Sequence, residues 1–578
     1  MIPRSARNTV VCLIILSSVY VSPDPLVSTT VSSTATETTG YKHIELEALP
    51  WLKEFLNREF PITPMTVEFE GIQQPPSSPV RTPAEFEPCQ GVLIYWDHEF
   101  AGVLDRILLS MVQHIDPENT IFIGVRNEQN FNTVESLLIN EHCALDNISF
   151  FTYSSNLFWM RDCGPFFVYD SDDRLVGIDT KYIERLTASD GLPPFFCQHY
   201  CFDCYDFDFK YDGGNFMTDG KGLLVSTDYF HNKNPELTSE QADSLMATYF
   251  GCDRFLVFQV FEECANLAHI DMWAKFLNAN TVLVAKFMDT EAVEYALLEN
   301  AATIFSTLKT YTGSTFDVLR VPMYKVNSVS SYCTYVNSLI LDKQVFVPVY
   351  DSPTDSEALA TYQTALPDYE IIPISCLHFA PRFGGAIHCI TREIPESIHP
   401  PEVSVLAVST LGGSIGDTLF PSFAITNPEA RTFTYEVTAT DTRGWTLNPD
   451  SFALSLQACT DTTLEIMCLI PTTATEGMVN TVTLTATAQS DPLAKDTDAL
   501  TITVCENIKG DANHDCVVDI MDALFVINTI LELHEPEPDQ SLRIDCNGPS
   551  GNCDGDGVVN ILDAVKIVNL ILGLDDCP

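Results

Sequence analysis

Positive charge is what this sequence has least of: 30 Lys and Arg stand against 79 Asp and Glu, a formal net charge of -49 over 578 residues. Such a surface argues against nucleic acid and anionic membrane surfaces as partners and favours cations as guests, and its plainest reading is a solubilising or salt-adapted coat. Charge of either sign is also scarce, at 19% against 46% hydrophobic residues, so the chain is globular in bulk and not a disordered acidic solvator. Long apolar runs are lacking too. The one near the start, residues 10–21, is interrupted by Ser17 and Ser18 and is too short to span a bilayer; no later segment reads as transmembrane.

That run follows Arg4 and Arg7 and precedes small and polar residues, the pattern of a signal peptide over residues 1–24. Cys12 lies inside it, not behind a lipidation site. Residues 25–44, rich in Ser, Thr and Pro, read as a flexible leader. The expectation is a secreted protein, free or held at a cell surface. Nineteen cysteines, eighteen without Cys12, suit an oxidising compartment with many of them in disulfides. The run Cys197, Cys201, Cys204 gains only His199 as a further metal-type ligand, so disulfides are the better reading there.

A length of 578 residues calls for several domains of about 100 to 200 residues each. Over residues 45–398, short apolar runs such as 120–125, 281–287 and 339–350 alternate with helical patterns such as 239–249, which predicts an α/β body. The texture then turns to Thr- and Val-rich alternation, as at 432–438 and 479–487, which predicts an Ig-like β-sandwich over residues 402–505 with spacer as its default role. The last segment, 508–578, holds two acidic loops, each running into one helix-like stretch.

In the first of these loops Asp511, Asn513, Asp515, Asp519 and Asp522 stand at positions 1, 3, 5, 9 and 12 of a calcium loop, and Val517 offers its carbonyl at position 7. Asn552, Asp554, Asp556, Asn560 and Asp563, with the Val558 carbonyl, repeat the spacing in the second. Hard oxygen ligands so spaced wrap one Ca2+ each. Position 12 is Asp and not Glu, Cys516 replaces the Gly of the sharp turn in loop one, and Asn552 replaces Asp in loop two. The paired loop-helix units resemble type I dockerins, a resemblance that implies folding on calcium and a cohesin-domain partner. The plain alternative is calcium stapling a small domain with no partner.

Within the α/β body, polar clusters sit where strands or turns end: Trp159 to Asp162, Gly213 to Asn215, His269 to Asp271, Asn337 and His388-Cys389. One thiol, one histidine and two or three carboxylates suit attack on a cationic carbon, because a thiolate is a strong nucleophile and carboxylates hold the cation. A guanidinium is the candidate substrate.

The stretches PAEFEPCQGVLIYW from Pro83, WMRDCGPFFV from Trp159, DGGNFMTDGKG from Asp212, HIDMWAKFL from His269, YVNSLILDKQVFVPV from Tyr335 and GGAIHCITREIP from Gly384 resemble, in order, those of the Porphyromonas-type peptidylarginine deiminases and the agmatine deiminases. The resemblance implies the five-bladed α/β propeller called the pentein fold. It also implies Cys389 as nucleophile, His269 as proton shuttle, Asp162 and Asp271 as the grip on the guanidinium, and Asn337 as the residue that orders the site. Trp159, Gly385 and Arg185 join them as substrate-binding positions, and no catalytic cofactor is implied.

Export favours arginine in peptides or proteins as substrate, giving citrulline; agmatine, giving N-carbamoylputrescine, is the alternative. The family's bacterial peptidyl branch reads a C-terminal carboxylate with two arginines, of which only Arg185 stands here, beside Glu184. Internal arginines therefore remain open as targets. A reading from another class is a catalytically inactive extracellular scaffold presented through its tail.

Overall fold

The computed structural model describes residues 71–97, 102–155, 158–182, 187–259, 267–325, 332–399, 401–408, 411–429, 432–505, 511–512, 516, 518, 520–530 and 561–572. The expected signal segment and leader lie outside them. So do Arg185 and the calcium-loop positions Asn513, Asp515, Val517, Asp519, Asn552, Asp554, Asp556, Val558 and Asn560. The chain divides into two compact units, Met1–His399 and Pro400–Pro578. In the described residues no helix is long and apolar enough to cross a membrane.

Among its described residues the first unit repeats one small construction five times. An antiparallel hairpin is followed by a helix that carries the chain across to a third strand, parallel to the second. Phe166–Tyr169, Leu175–Lys181 and Cys204–Lys210 form one such sheet, and Met217–Thr218, Leu223–Thr227 and Arg254–Phe258 the next. Ala274–Asn278, Thr281–Phe287 and Asp317–Lys325 form another, extended by Tyr332–Thr334, and Leu339–Leu341, Gln344–Val349 and Glu370–Ser375 follow. In the remaining sheet the antiparallel partner of Cys89–Tyr95 is the last strand of the unit, Thr391–Pro395, while Thr120–Val125 and Ile148–Thr152 add in parallel. The end of the unit is thus paired to its beginning.

Parallel neighbours need a crossover, and local chemistry supplies it. Between Cys89–Tyr95 and Thr120–Val125 runs Leu104–Val112, whose Leu104, Ile107, Leu108, Met111 and Val112 form one buried stripe. Between Leu223–Thr227 and Arg254–Phe258 runs Ser239–Phe250, opened by a capping box of Thr238 and Gln241 and closed by Gly251 at φ 63°. Cys89–Tyr95 is buried at every position, as befits a strand covered on both faces.

Two sequence readings change. The apolar run 339–350 is not one strand but a hairpin, because Asp342 takes a left-handed φ of 51° and turns the chain between Leu341 and Gln344. Cysteines are also less cross-linked than expected: ten of the described residues are free thiols, all buried but Cys143. Cys197 and Cys204 are among them and pack below Gly177, where a Cβ would meet the Cys197 sulfur at 2.3 Å. Buried thiols of this kind serve as small apolar side chains. Cys201 does take part in a disulfide, and His199 stacks on Phe195 instead of joining a metal site.

In the second unit, strands with strict in-out alternation, such as Phe433–Asp441 and Val479–Ala488, put Tyr435, Val437, Val482, Leu484 and Ala486 into one apolar cluster. The same cluster takes Phe423 and Ile425 from Ser422–Asn427, a strand of a different sheet. Beyond them, helices Ile520–Ile530 and Ile561–Ile571 share a small core of Ala523, Val526, Ala564 and Ile567.

Candidate active site

Each repeat delivers a short polar turn immediately before the first strand of its hairpin. These turns are Met160–Cys163 before Phe166, Gly213–Asn215 before Met217, Ile270–Met272 before Ala274, Asn337 before Leu339 and His388–Ile390 before Thr391. The repeated construction therefore brings Asp162, Asp212, His269, Asp271, Asn337 and Cys389 to one place, although more than 200 residues separate the first turn from the last. All but His269 are buried, and its side chain is only 14% exposed.

Asn337 orders the centre. Its Nδ2 donates to Asp271 Oδ2 at 3.0 Å and lies 3.2 Å from Cys389 Sγ. Its Oδ1 accepts from the backbone N–H of Ala386 at 2.9 Å and of Cys389 at 3.3 Å. One amide thus fixes the thiol, the carboxylate beside it and the loop that carries the thiol. Cys389 Sγ in turn donates to Asp271 Oδ2 at 3.5 Å. Asp271 Oδ1 is buried and finds no hydrogen-bond partner among the described residues, an arrangement suited to an incoming donor.

His269 is held between two carboxylates, Nε2 3.1 Å from Asp212 Oδ2 and Nδ1 3.5 Å from Asp162 Oδ1. Burial alone would lower its pKa, but Asp162 and Asp212 outweigh burial and raise it to about 9. Asp212 is itself gripped by Lys233 Nζ at 2.8 and 2.6 Å. Against the opposing effect of burial, Lys233 and His269 hold its pKa down to about 2. Asp162 accepts from the Gly214 N–H at 2.9 Å, yet burial pushes it up to about 6, the histidine offsetting part of the rise. Burial likewise opposes ionisation of Asp271, but His388 keeps it below the usual carboxylate range. Burial, then Asp271 and Asp162, push the Cys389 thiol well above its ordinary value.

Two glycines shape the space. A Cβ on Gly385 would sit 2.7 Å from Cys389 Sγ and 2.8 Å from the Trp159 ring; one on Gly214 would sit 2.7 Å from His269 Nδ1 and 2.9 Å from Asp162 Oδ1. Only a bare backbone fits at either position. Trp159 itself packs with Phe158 and Phe379 at centroid distances of 4.8 and 5.9 Å. A rigid aromatic wall therefore stands beside the thiol.

Sequence reasoning passed over four residues at this centre. Asp212 and Glu85 stand inside the motif stretches, and that position was their only signal; His388 was also named beside Cys389 in a polar cluster but was given no role. Lys233 carried none.

Of the calcium-loop residues, Asp511, Asp522 and Asp563 are described and fully buried. Asp522 Oδ1 accepts from the Ala512 N–H at 2.6 Å, so position 12 closes onto the start of the loop, and Asp511 Oδ2 accepts from the Cys516 N–H at 3.0 Å. Cys516 takes the left-handed φ of 71° that the sharp turn requires, and its sulfur is bonded to Cys505, which removes both thiols as metal ligands. Buried carboxylates on a closed loop fit a hard cation.

The sequence model of the Porphyromonas-type peptidyl-arginine deiminase family matches residues 81–395, more than half of the chain. The agmatine deiminase of Pseudomonas syringae pv. tomato is 25% identical over 299 residues, 44% of this chain and 80% of that protein. The agmatine deiminase of Pseudomonas fluorescens is 24% identical over 299 residues, with the same shares of 44% and 80%. Among solved structures, the agmatine deiminase of Enterococcus faecalis superposes with a TM-score of 0.51 at 22% identity, covering 57% of this chain and 100% of that one, which establishes a shared α/β fold.

Proposed function

Because the chain belongs to the Porphyromonas-type peptidyl-arginine deiminase family and is a hydrolase of guanidinium C–N bonds, we propose that it converts arginine in peptides or proteins to citrulline and ammonia. The observation that carries this reading is the convergence of five separate turns on one thiol. There Cys389 lies beside the buried carboxylates of Asp271 and Asp162 and within reach of Asn337.

The chemistry follows from the charges. A guanidinium held by Asp162 and Asp271 places its planar carbon near Cys389, and its positive charge lowers the pKa that burial has raised, so the substrate helps to make the thiolate that attacks it. The thiol gives up its proton to solvent, and the C–S bond forms as the C=N electrons move to nitrogen. His269, protonated up to about pH 9, gives its proton to the departing nitrogen, and ammonia leaves. The neutral imidazole then takes a proton from water as it attacks the thiouronium carbon. The C–S bond of this second adduct breaks, its hydroxyl proton passes to the sulfur as the carbonyl forms, and the ureido product departs.

The five repeated sheets support the pentein reading, a propeller with one blade per sheet. The alternating strands of the second unit support a β-sandwich, and the bond from the Ala512 N–H to buried Asp522 supports a calcium loop of dockerin type; export and a cohesin partner rest on the sequence resemblance. Peptidyl arginine is favoured over a free metabolite by the match to the peptidyl-arginine deiminase family model over residues 81–395.

Agmatine is the second reading, favoured by the names of the Pseudomonas relatives. The two separate in one assay. Purified protein and Cys389→Ala are incubated with an internal-arginine peptide, a C-terminal-arginine peptide and agmatine, and ureido product and ammonia are measured. Citrulline in either peptide, absent in the variant, is the expected result. Turnover of agmatine alone would replace the substrate, and no turnover of any guanidinium would leave an inactive scaffold.

A further inference from the structure

Beside Asp271 stands a second set of buried charges that the chemistry above does not use. His388 Nδ1 lies 2.8 Å from Asp271 Oδ2, and its other nitrogen, Nε2, lies 3.2 Å from Glu85 Oε2. Glu85 is paired with Lys275 and accepts the Ile340 N–H at 2.8 Å through Oε1. The His388 carbonyl is held in turn by Arg161 Nε at 3.3 Å. Lys275, His388 and Asp271 are 2%, 4% and 3% exposed. A cavity of about 50 Å³ is lined by Glu85, Lys275, His388 and Asp271 but by none of Cys389, His269 and Asp162.

We propose that His388, Glu85 and Lys275 form a positioning array that fixes the Asp271 carboxylate for the guanidinium, a role that rests on the deiminase reading and assigns three further residues to it. The array is drawn from three places in the chain: the segment before strand Cys89–Tyr95, strand Ala274–Asn278 and the turn that carries Cys389. A buried carboxylate keeps its orientation only if its lone pairs are engaged. His388 and Asn337 engage Oδ2 and leave Oδ1 buried and open to a donor. Glu85 fixes the far edge of the imidazole and so its ring plane, and Lys275 compensates Glu85, holding it ionised with His388 against burial. None of the three touches the reacting atoms.

The charged and titratable groups facing Asp271 are His388, His269, Arg161, Asp162 and Cys389. Removing the His388 donor leaves burial less opposed, so Asp271 ionises at higher pH. In His388→Gln, kcat/KM should fall about tenfold or more, and most of that loss should appear as a rise in KM for the guanidinium. His388→Asn, whose amide replaces Nδ1, should restore most of the affinity. Glu85→Gln should raise KM by less. A merely structural role would lower the amount of folded enzyme and leave KM in place.

The substrate is the one the wild-type enzyme turns over in a Cys389-dependent manner, so an inactive wild type refutes the deiminase reading before the array is reached. A wild-type KM in His388→Gln overturns the array. If His388→Gln fails to fold, an unchanged KM in Glu85→Gln overturns it instead.

Discussion

Each histidine flanking the thiol has a carboxylate at both ring nitrogens: Asp162 and Asp212 around His269, Asp271 and Glu85 around His388. For His269 the consequence is a proton that persists at neutral pH. Its raised pKa means that the acid form is complete below about 6.5 and lost as pH rises through about 9, while the raised pKa of Asp162 means that this carboxylate is lost as pH falls through about 6. Activity should therefore plateau between about 6 and about 9, the two limbs belonging to the coupled pair. Asp212→Asn removes one cause of the raised value and leaves Lys233 uncompensated beside the ring. The basic limb of kcat/KM should then move to lower pH, and a limb that stays in place would detach Asp212 from the histidine.

At this scale Cys389, His269, Asp162, Asp271 and Asn337 were legible because each sits in a stretch carrying a family resemblance, and the structure brings all five together. Lys233 was not, since a lysine on a short helix looks like a solvated surface residue until the fold sets it, half-buried, against Asp212.

Strands and helices set where those residues stand. Thr120–Val125 and Thr281–Phe287 were readable to the residue from their β-branched apolar runs, and Ser239–Phe250 to one residue. The fivefold repetition was readable through the family resemblance and not from periodicity, because its hairpins use strands as short as Met217–Thr218 and Leu339–Leu341, too short to show a period. The hairpin at Asp342 was not readable, because its left-handed turn is carried by a residue that gives no Gly or Pro signal. The capping box of Ser239–Phe250 yields an element-scale prediction. Thr238→Ala removes the acceptor for the Gln241 N–H and should lower the unfolding free energy by about 1 kcal/mol with kcat unchanged. Chemical denaturation and steady-state rates test both halves of that statement.

Over the whole molecule the change from α/β to Thr- and Val-rich alternation was plain in the sequence, because alternation of period two needs no context to be seen. The division of the structure falls between His399 and Pro400. What composition could not show is how little the acidity says about chemistry: of 79 acidic residues, the candidate site gathers a few that the fold buries. The three buried carboxylates of the C-terminal module carry a prediction of their own. Chelation of calcium should lower the unfolding temperature of the Pro400–Pro578 unit and leave ureido formation at its full rate, because no proposed catalytic residue lies in that unit. Differential scanning calorimetry with and without chelator, beside the ammonia assay, separates the two.

The central claim is that a guanidinium carbon becomes bonded to the sulfur of Cys389. The most direct measurement is an acid quench of the enzyme during turnover, followed by digestion and mass spectrometry of the peptide that contains residue 389. The account predicts an adduct equal to substrate less ammonia on Cys389, formed by wild type and absent from Cys389→Ala, which releases no ureido product. Undiminished turnover by Cys389→Ala, or an adduct on another cysteine, would contradict it.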